Sequence, residues 1–385
     1  MSRREVEPPY GVRVMLAHFG GLKDPRIDRT KLHPLQNIIV MALCGAICGG
    51  DGWEDFALFA ESRASWFETF LEMPNGTPSA DTFRRVFEAL DPTEFERRFR
   101  AWVRVFAGDL GGKVVAIDGK SLRGAVESAS KDTALHLLHV WAAEQQVLLA
   151  HCVVDGAPGE VQGIPALLEL VDIKGAVVTG DANACTAPVT KAIRGREADY
   201  VLALKGNRGL LHDHVAEKFA EAAERNYRGV PEYFTEDVAH GRVENRFVRA
   251  LALDELPANS QAEWVDLRTI VEIERVRSVD GKTSVERQYY VSSLPPVAER
   301  IAHAVRSHWS IENQLHWCLD VGFDEDDSRI RDHRAATNVA TIARFALAML
   351  KRESTLKRGV KAKRKNAGWD NSYLLRVLSA GIPGD

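Results

Sequence analysis

Two short apolar runs constrain this chain most. Lys113–Ile117 (KVVAI) and Ala176–Thr179 (AVVT) are rich in β-branched residues, the mark of a buried strand. Each run leads into an aspartate with a small residue beyond it: Asp118 follows Ile117 and precedes Gly119, and Asp181 follows Gly180 and precedes Ala182. An acid placed after a buried strand stands at the strand mouth, where open α/β sheets bind ligands. The bland alternative for each is a turn or a helix cap.

The rest of the chain is arranged around these two runs. Leu135–Ala142, Val147–Val154 and Tyr200–Leu204 also read as strands, with helical stretches at Ile164–Leu170 and Pro188–Arg194. Strands interleaved with helices predict an α/β core with a mixed sheet, its first part spanning residues 109–229. Residues 1–108 read as an all-helical N-terminal domain. Leu35, Ile38, Ile39, Ala42, Leu43 and Ala46 recur at helical spacing after Pro34. A second helix is expected from Trp53 to about Phe70, a third after Ser79, and a fourth from Pro92 to Phe106. Residues 230–295 read as a β-rich insertion, with Asp280-Gly281 as a hairpin turn. Residues 296–352 read as core helices, one from Pro296 through Cys318 and one over Ala335–Leu350. Residues 353–385 read as a basic tail containing Lys357, Arg358, Lys361, Lys363, Arg364 and Lys365.

Composition narrows the function classes. A length of 385 residues allows two or three compact units. No apolar run reaches the roughly 20 residues needed to span a bilayer, and no apolar signal core follows MSRREVEPPYGVR. A cytoplasmic protein is expected, with no membrane partner. Five scattered cysteines without a CxxC pair support neither a zinc ribbon nor a disulfide framework. A net charge of −4 means that any nucleic-acid surface must be local.

Glu312 is the third acid of interest. His308, Glu312 and His316 are four residues apart, so a regular helix would set them in one stripe. The bland reading is a surface glutamate. Two strand-end aspartates and a helix acid suit Mg²⁺, which prefers oxygen ligands. A pair of such ions can serve in-line phosphoryl displacement. A zinc hydrolase built on the His308–Glu312–His316 stripe is the competing chemistry. Lys120 and Arg123 flank the first Asp, Lys205, Asn207 and Arg208 follow the strand Tyr200–Leu204, and all five suit phosphate oxygens. The run Asp324-Glu325-Asp326-Asp327 lacks EF-hand spacing and reads as a surface segment paired with Arg329 and Arg331.

Ordered blocks over nearly the whole chain carry a resemblance. They are HPLQNIIVMALCGAICGGDGWEDFALF (33–59), PNGTPSADTFRRVFEALDPTEFE (74–96), AIDGKSLRG (116–124), GEVQGIPALLELVDIKGAVVTGDANAC (159–185), YVLALKGN (200–207), HGRVENR (240–246), YYVSSL (289–294), HWSIENQLHWCLDVGFDEDDSRIR (308–331) and KRKNAGWDNSYLLRVL (363–378). In this order they resemble the DDE transposases of bacterial insertion sequences, in the ISAs-type branch with the H-repeat-associated proteins. The resemblance implies a ribonuclease-H-like core with a β-rich insertion between the second Asp and the Glu. It implies Asp118, Asp181 and Glu312 as the catalytic, metal-binding triad, with Mg²⁺ or Mn²⁺ as two ions. The implied partners are double-stranded DNA, as terminal inverted repeats and target, and further copies of the chain in a homodimer or larger assembly on DNA. The N-terminal helical domain would then serve end recognition or dimerisation, and the protein would join the nucleoid when bound. A DNA-binding relic or regulator without catalysis is the alternative. Related transposases carry Tyr, Arg and Lys around the Glu, where this chain has Val305, His308 and Leu319. His308, Asn313 and His316 are therefore candidate substitutes for the DNA contacts, with Arg242 of the HGRVENR block beside them. Asn183-Ala184 stands where a bulkier pair is expected.

Overall fold

A computed structural model describes residues 8–124, 134–239, 242–253, 264–380 and 382. The segment 1–7, read above for export, and residues 240 and 241 of the HGRVENR block lie outside the described residues.

The two apolar runs form adjacent parallel strands. β1 (Val114–Leu122) pairs with β4 (Val177–Gly180) from Val114↔Val177 to Ile117↔Gly180. Every residue of β4 is buried, as expected for a parallel strand covered on both faces. β2 (Leu135–Ala142) and β3 (Val147–Val154) add to β1 in antiparallel fashion, and β5 (Asp199–Leu204) runs parallel to β4. One expectation is corrected: β1 does not end before Asp118. It continues to Leu122, paired with β2 through Asp118↔His139 and on to Leu122↔Leu135. Only the β4 side stops, so Asp118 sits within a strand, one residue past the end of its parallel neighbour.

The β-rich stretch supplies β6 (Glu232–Ala239), β7 (Arg242–Ala252), β8 (Thr269–Val279) and β9 (Lys282–Ser292). Asp280 and Gly281 both take positive φ, as the tight turn between β8 and β9 requires. β9 pairs with β5 through Leu202↔Val291, so the insertion extends the core sheet. The result is one nine-stranded mixed sheet in the order β3-β2-β1-β4-β5-β9-β8-β7-β6.

Helices α1 (Tyr10–Phe19), α2 (Leu35–Ile47), α3 (Trp53–Ser62), α4 (Ala64–Phe67), α5 (Ala80–Ala89) and α6 (Pro92–Ala107) precede the sheet. The Ser79 side chain caps α5, and Asp91 with Pro92 starts α6. The expected single helix from Trp53 to Phe70 is instead broken at Arg63, whose guanidinium donates to the Gly368 carbonyl. Between the strands lie α7 (Gly156–Glu169), α8 (Ala187–Gly195) and α9 (Gly209–Glu224). After β9 come α10 (Ala298–His308), a π-helical turn (Ile311–His316) and α11 (Trp317–Phe323).

Helix α12 (His333–Arg352) joins the two halves and is buried on most sides. Its Phe345 packs on Phe19, Phe95 and Phe99 of the N-terminal helices. Asn338 donates to the carbonyls of Phe87 and Leu90. One hydrophobic core therefore runs from the N-terminal helices into the sheet.

The basic-tail expectation is also corrected. Residues after 352 form α13 (Val360–Trp369) and α14 (Asn371–Ser379). Tyr373, Leu374, Val377 and Leu378 are buried at helical spacing. Two of the cations serve structure: Lys363 donates to the Leu350 and Glu353 carbonyls, and Arg364 binds the Ala46 carbonyl and the Asp51 carboxylate, while Lys357, Arg358, Lys361 and Lys365 stay exposed. No described helix is long and apolar enough to cross a membrane.

Candidate active site

A cleft of about 590 Å³ opens where β4 and β5 end, and Asp118, Asp181, Glu312, Lys205 and His212 line it. Strand β1 delivers Asp118 from one side. The loop after β4 delivers Asp181, whose Oδ1 accepts the amides of Asn183 (2.9 Å) and Ala184 (3.1 Å). The turn reading of Asp181 and its place in the cleft thus hold together: the turn fixes the carboxylate that faces the cleft. Gly180 is pressed against Ala184 and Leu202, where a Cβ would collide, so the small residues here let the loop close tightly.

Glu312 arrives from the helical side. The π-helical turn inserts one residue into the α-helical repeat, a distortion common at functional sites. It breaks the predicted His308–Glu312–His316 stripe. His308 Nδ1 meets Thr179 Oγ1 at 3.1 Å, while Glu312 and His316 turn together toward Asp118. Ligand atoms of Asp118, Glu312 and His316 all lie within 4.8 Å of one another. Asp181 faces this group across the same cleft without joining it. His308 lines the same cleft but stands outside the close group of Asp118, Glu312 and His316, so the three residues of the zinc stripe do not converge.

The electrostatics follow from burial. Burial, then the charge of Glu312, pushes the Asp118 carboxyl up to about 8, and Asp181 adds to the effect. Glu312 is 54% exposed, and His316 beside it holds its carboxyl down at about 2. Burial and the facing Glu312 charge both favour the protonated form of Asp118. A cation of the right size would replace that proton.

Behind the acids lies a layer that sequence reading missed. His316 Nδ1 faces Asp118 Oδ2 at 3.7 Å and Glu312 Oε2 at 3.5 Å. Its Nε2 meets His139 Nδ1 at 3.1 Å. Arg344 donates to His139 Nε2 from Nη2 (2.9 Å) and Nε (3.2 Å), and pairs with Glu325 at 2.5 Å. The signal was present: a histidine inside the apolar strand LHLLHVWA and an arginine inside the apolar helix ATIARFALAML.

The predicted phosphate contacts scatter. Lys120 is corrected: it is 8% exposed, with Nζ 2.5 Å from Asp320 and 3.5 Å from Asp326, so its charge is neutralised inside the protein. Asp326 also faces Arg123 at 3.9 Å, and Glu325 pairs with Arg344, in place of the expected Arg329 and Arg331. Asn207 and Arg208 brace the Asp181 loop through the Ala182 and Cys185 carbonyls. Lys205 is exposed on the cleft rim, and Arg123 is exposed in the turn just after β1, outside the cleft lining. Asn313 lines a neighbouring cleft of about 640 Å³ with Arg246, Arg275 and Trp309. Arg242 lies at the start of β7 with Glu244 at 3.9 Å, and His316 is buried.

Comparison with known proteins adds an independent finding. Residues 109–350 match the family model described as "Transposase DDE domain", and residues 16–103 match one described as "DDE_Tnp_1-associated". YncI of Escherichia coli O157:H7 is 32% identical, over 96% of this chain and 95% of its own length. The H-repeat-associated YhhI of Escherichia coli K12 is 31% identical, over 96% and 98%. Both carry "transposase" in their names. Among solved structures, the piggyBac transposase in a synaptic complex with hairpin DNA aligns over 97% of this chain and 82% of its own, with a TM-score of 0.44 and 12% identity. That likeness is too distant to transfer any feature.

Proposed function

The chain belongs to the DDE transposase family, and from that premise we propose that it cuts DNA at the ends of its insertion element and joins the freed 3′ ends to target DNA, with Asp118, Asp181 and Glu312 as the acids that hold the metal. The observation that carries this reading is the approach of Asp118 and Glu312 within one cleft that Asp181 also lines. Divalent metal ions serve this family generally. The donor set fits them: carboxylate oxygens of Asp118 and Glu312 gathered in one cleft with Asp181 suit Mg²⁺ or Mn²⁺ better than softer metals. Bound as a pair, such ions supply activation of the attacking oxygen and charge relief at the leaving oxygen.

The chain's own residues do the rest. Asp118 fixes one side of the cage from a paired strand, and the amides of Asn183 and Ala184 orient Asp181. Lys205 on the rim offers a cation to phosphate oxygens. A ribonuclease-H-like core is supported by the strand order β3-β2-β1-β4-β5, with β1, β4 and β5 parallel. The substrates are double-stranded terminal repeats and target DNA, met on the nucleoid in the cytoplasm. Two element ends must be processed together, which calls for a homodimer or larger assembly on DNA. The N-terminal helices serve recognition of the ends or that assembly.

The test is strand cleavage of a duplex carrying the element's end, with Mg²⁺ or Mn²⁺. Asp118→Ala and Glu312→Ala should abolish cutting while folding is retained. Variants that cut as well as the parent would sink the assignment.

A further inference from the structure

The histidine beside the acids poses a choice. His316 has a ring nitrogen within ligand range of the Asp118–Glu312 pair, so it can serve either as a metal ligand or as a hydrogen-bond donor to the acids. The two roles demand opposite tautomers, because a ligand nitrogen must be bare and a donor nitrogen must carry the proton.

The far end of the chain decides between them. Arginine has five N–H donors and no acceptor. With Arg344 Nη2 2.9 Å from His139 Nε2, that nitrogen must accept, so it is bare. A ring that accepts at Nε2 is not the doubly protonated imidazolium, so His139 is neutral. A neutral ring bare at Nε2 carries its proton on Nδ1. His139 Nδ1 therefore donates to His316 Nε2 at 3.1 Å, and His316 in turn is bare at Nε2 and protonated at Nδ1. That Nδ1 faces Asp118 at 3.7 Å and Glu312 at 3.5 Å. His139, His316 and Arg344 are each no more than 4% exposed, so bulk water does not offer either ring an alternative partner.

We propose that Arg344, acting through His139, locks His316 in the tautomer protonated at Nδ1, making His316 a positioning donor to the Asp118 and Glu312 carboxylates and not a ligand of the metal. The inference rests on the reading of those acids as the metal cage. If His316 were a ligand, its Nε2–H would point at His139 Nδ1. The His139 proton would then sit on Nε2, against the Arg344 donors. A buried donor-to-donor contact of that kind costs the desolvation of an unsatisfied polar group. Metal-ligating histidines ordinarily pass their second N–H outward to an acceptor. Here the outward partner ends in a guanidinium, so the direction is reversed.

The experiment uses the full chain labelled with [¹⁵N]histidine, first free of metal and then titrated with Mg²⁺. Two-bond ¹H–¹⁵N spectra distinguish bare from protonated ring nitrogens, and His139→Asn and His316→Asn assign the signals. Both rings should be protonated at Nδ1, and His316 should stay so at saturating Mg²⁺. A bare His316 Nδ1 in either state, or a His139 proton on Nε2, overturns the proposal. Carboxyl ¹³C shifts in the same titration read the acids separately. Their failure to move would sink the metal cage while leaving the tautomer result standing. In Mn²⁺ titrations, His316→Asn keeps a donor near the place of Nδ1 and should retain most of the affinity. His316→Leu should lose on the order of 10–100-fold. Equal losses in the two variants would also overturn the proposal.

Discussion

Two buried histidine chains flank β1 on opposite faces, and they end differently. On the cleft face, the chain runs from Asp118 through His316 and His139 to Arg344. On the other face, Ser121 Oγ meets His136 Nδ1 at 2.8 Å, and His136 Nε2 meets Glu160 of α7 at 2.6 Å. Successive strand residues alternate in direction, so Gly119 and Ser121 belong to this second face. Gly119 lies against the pair so closely that a Cβ would collide with both Glu160 and His136. The second chain ends on a carboxylate that takes the imidazole N–H, so its donors are used up within the fold and it ties α7 to the sheet. The first ends on a cation that accepts nothing, so its donors are turned outward to the cleft. Presence of a histidine near the strand that carries Asp118 therefore says little; what terminates its hydrogen-bond chain says which way it works.

The contrast can be broken in several ways. The largest effect is expected at the acid itself. Asp118→Asn should remove several kcal/mol of transition-state stabilisation, about 10³-fold in cleavage rate. His136→Ala should leave the rate per folded molecule near that of the parent. Equal losses in a single-turnover assay would erase the distinction between the faces. Next, Arg344→Met should cost about 3–5 kcal/mol in urea unfolding, because it leaves buried Glu325 without its partner. Adding Glu325→Gln should restore part of that loss.

A third test sharpens the cleft side. With Asp118 as the proposed ligand, metal binding needs it ionised, and its carboxyl is raised to about 8. Affinity for Mn²⁺ should therefore fall as pH drops below about 8, by roughly tenfold per pH unit for a single displaced proton. It should flatten above that pH. Calorimetry in buffers of different ionisation enthalpy should show about one proton released near pH 6.5. A flat profile would mean that Asp118 holds no proton for the metal to displace. The smallest effect belongs to the structural face: Gly119→Ala should cost about 1–3 kcal/mol of stability through overpacking, read as a lower urea midpoint. Metal affinity, measured on the folded fraction, should change little.

Much of this arrangement was legible locally. The β-branched runs marked β1 and β4, and the Asp280-Gly281 turn marked the β8–β9 hairpin, because strand propensity and turn chemistry act over a few residues. The same reasoning singled out Asp118 and Asp181, which both line the cleft. It put Asp118 at a strand end because nothing local reveals that β2 keeps pairing after β4 has stopped. It set Glu312 on a regular helix because an inserted π-helical residue leaves no periodic trace in so short a stretch. Arg344 and His139 are 205 residues apart in sequence, so their contact depends on how α12 crosses the sheet. Residues 353–385 were judged by their charge, yet Tyr373, Leu374, Val377 and Leu378 outweigh it by burying against the remainder of the fold.

The way β1 outruns β4 has a mechanical consequence. Asp118 hangs from a backbone stitched to β2 on both sides of it, so its position is settled before any substrate arrives. Glu312 stands half in solvent on a six-residue π-helical turn. The cleft therefore sets an acid carried on doubly paired strand backbone against one carried on a short helical turn, so the two sides of the site are built from backbone of different kinds.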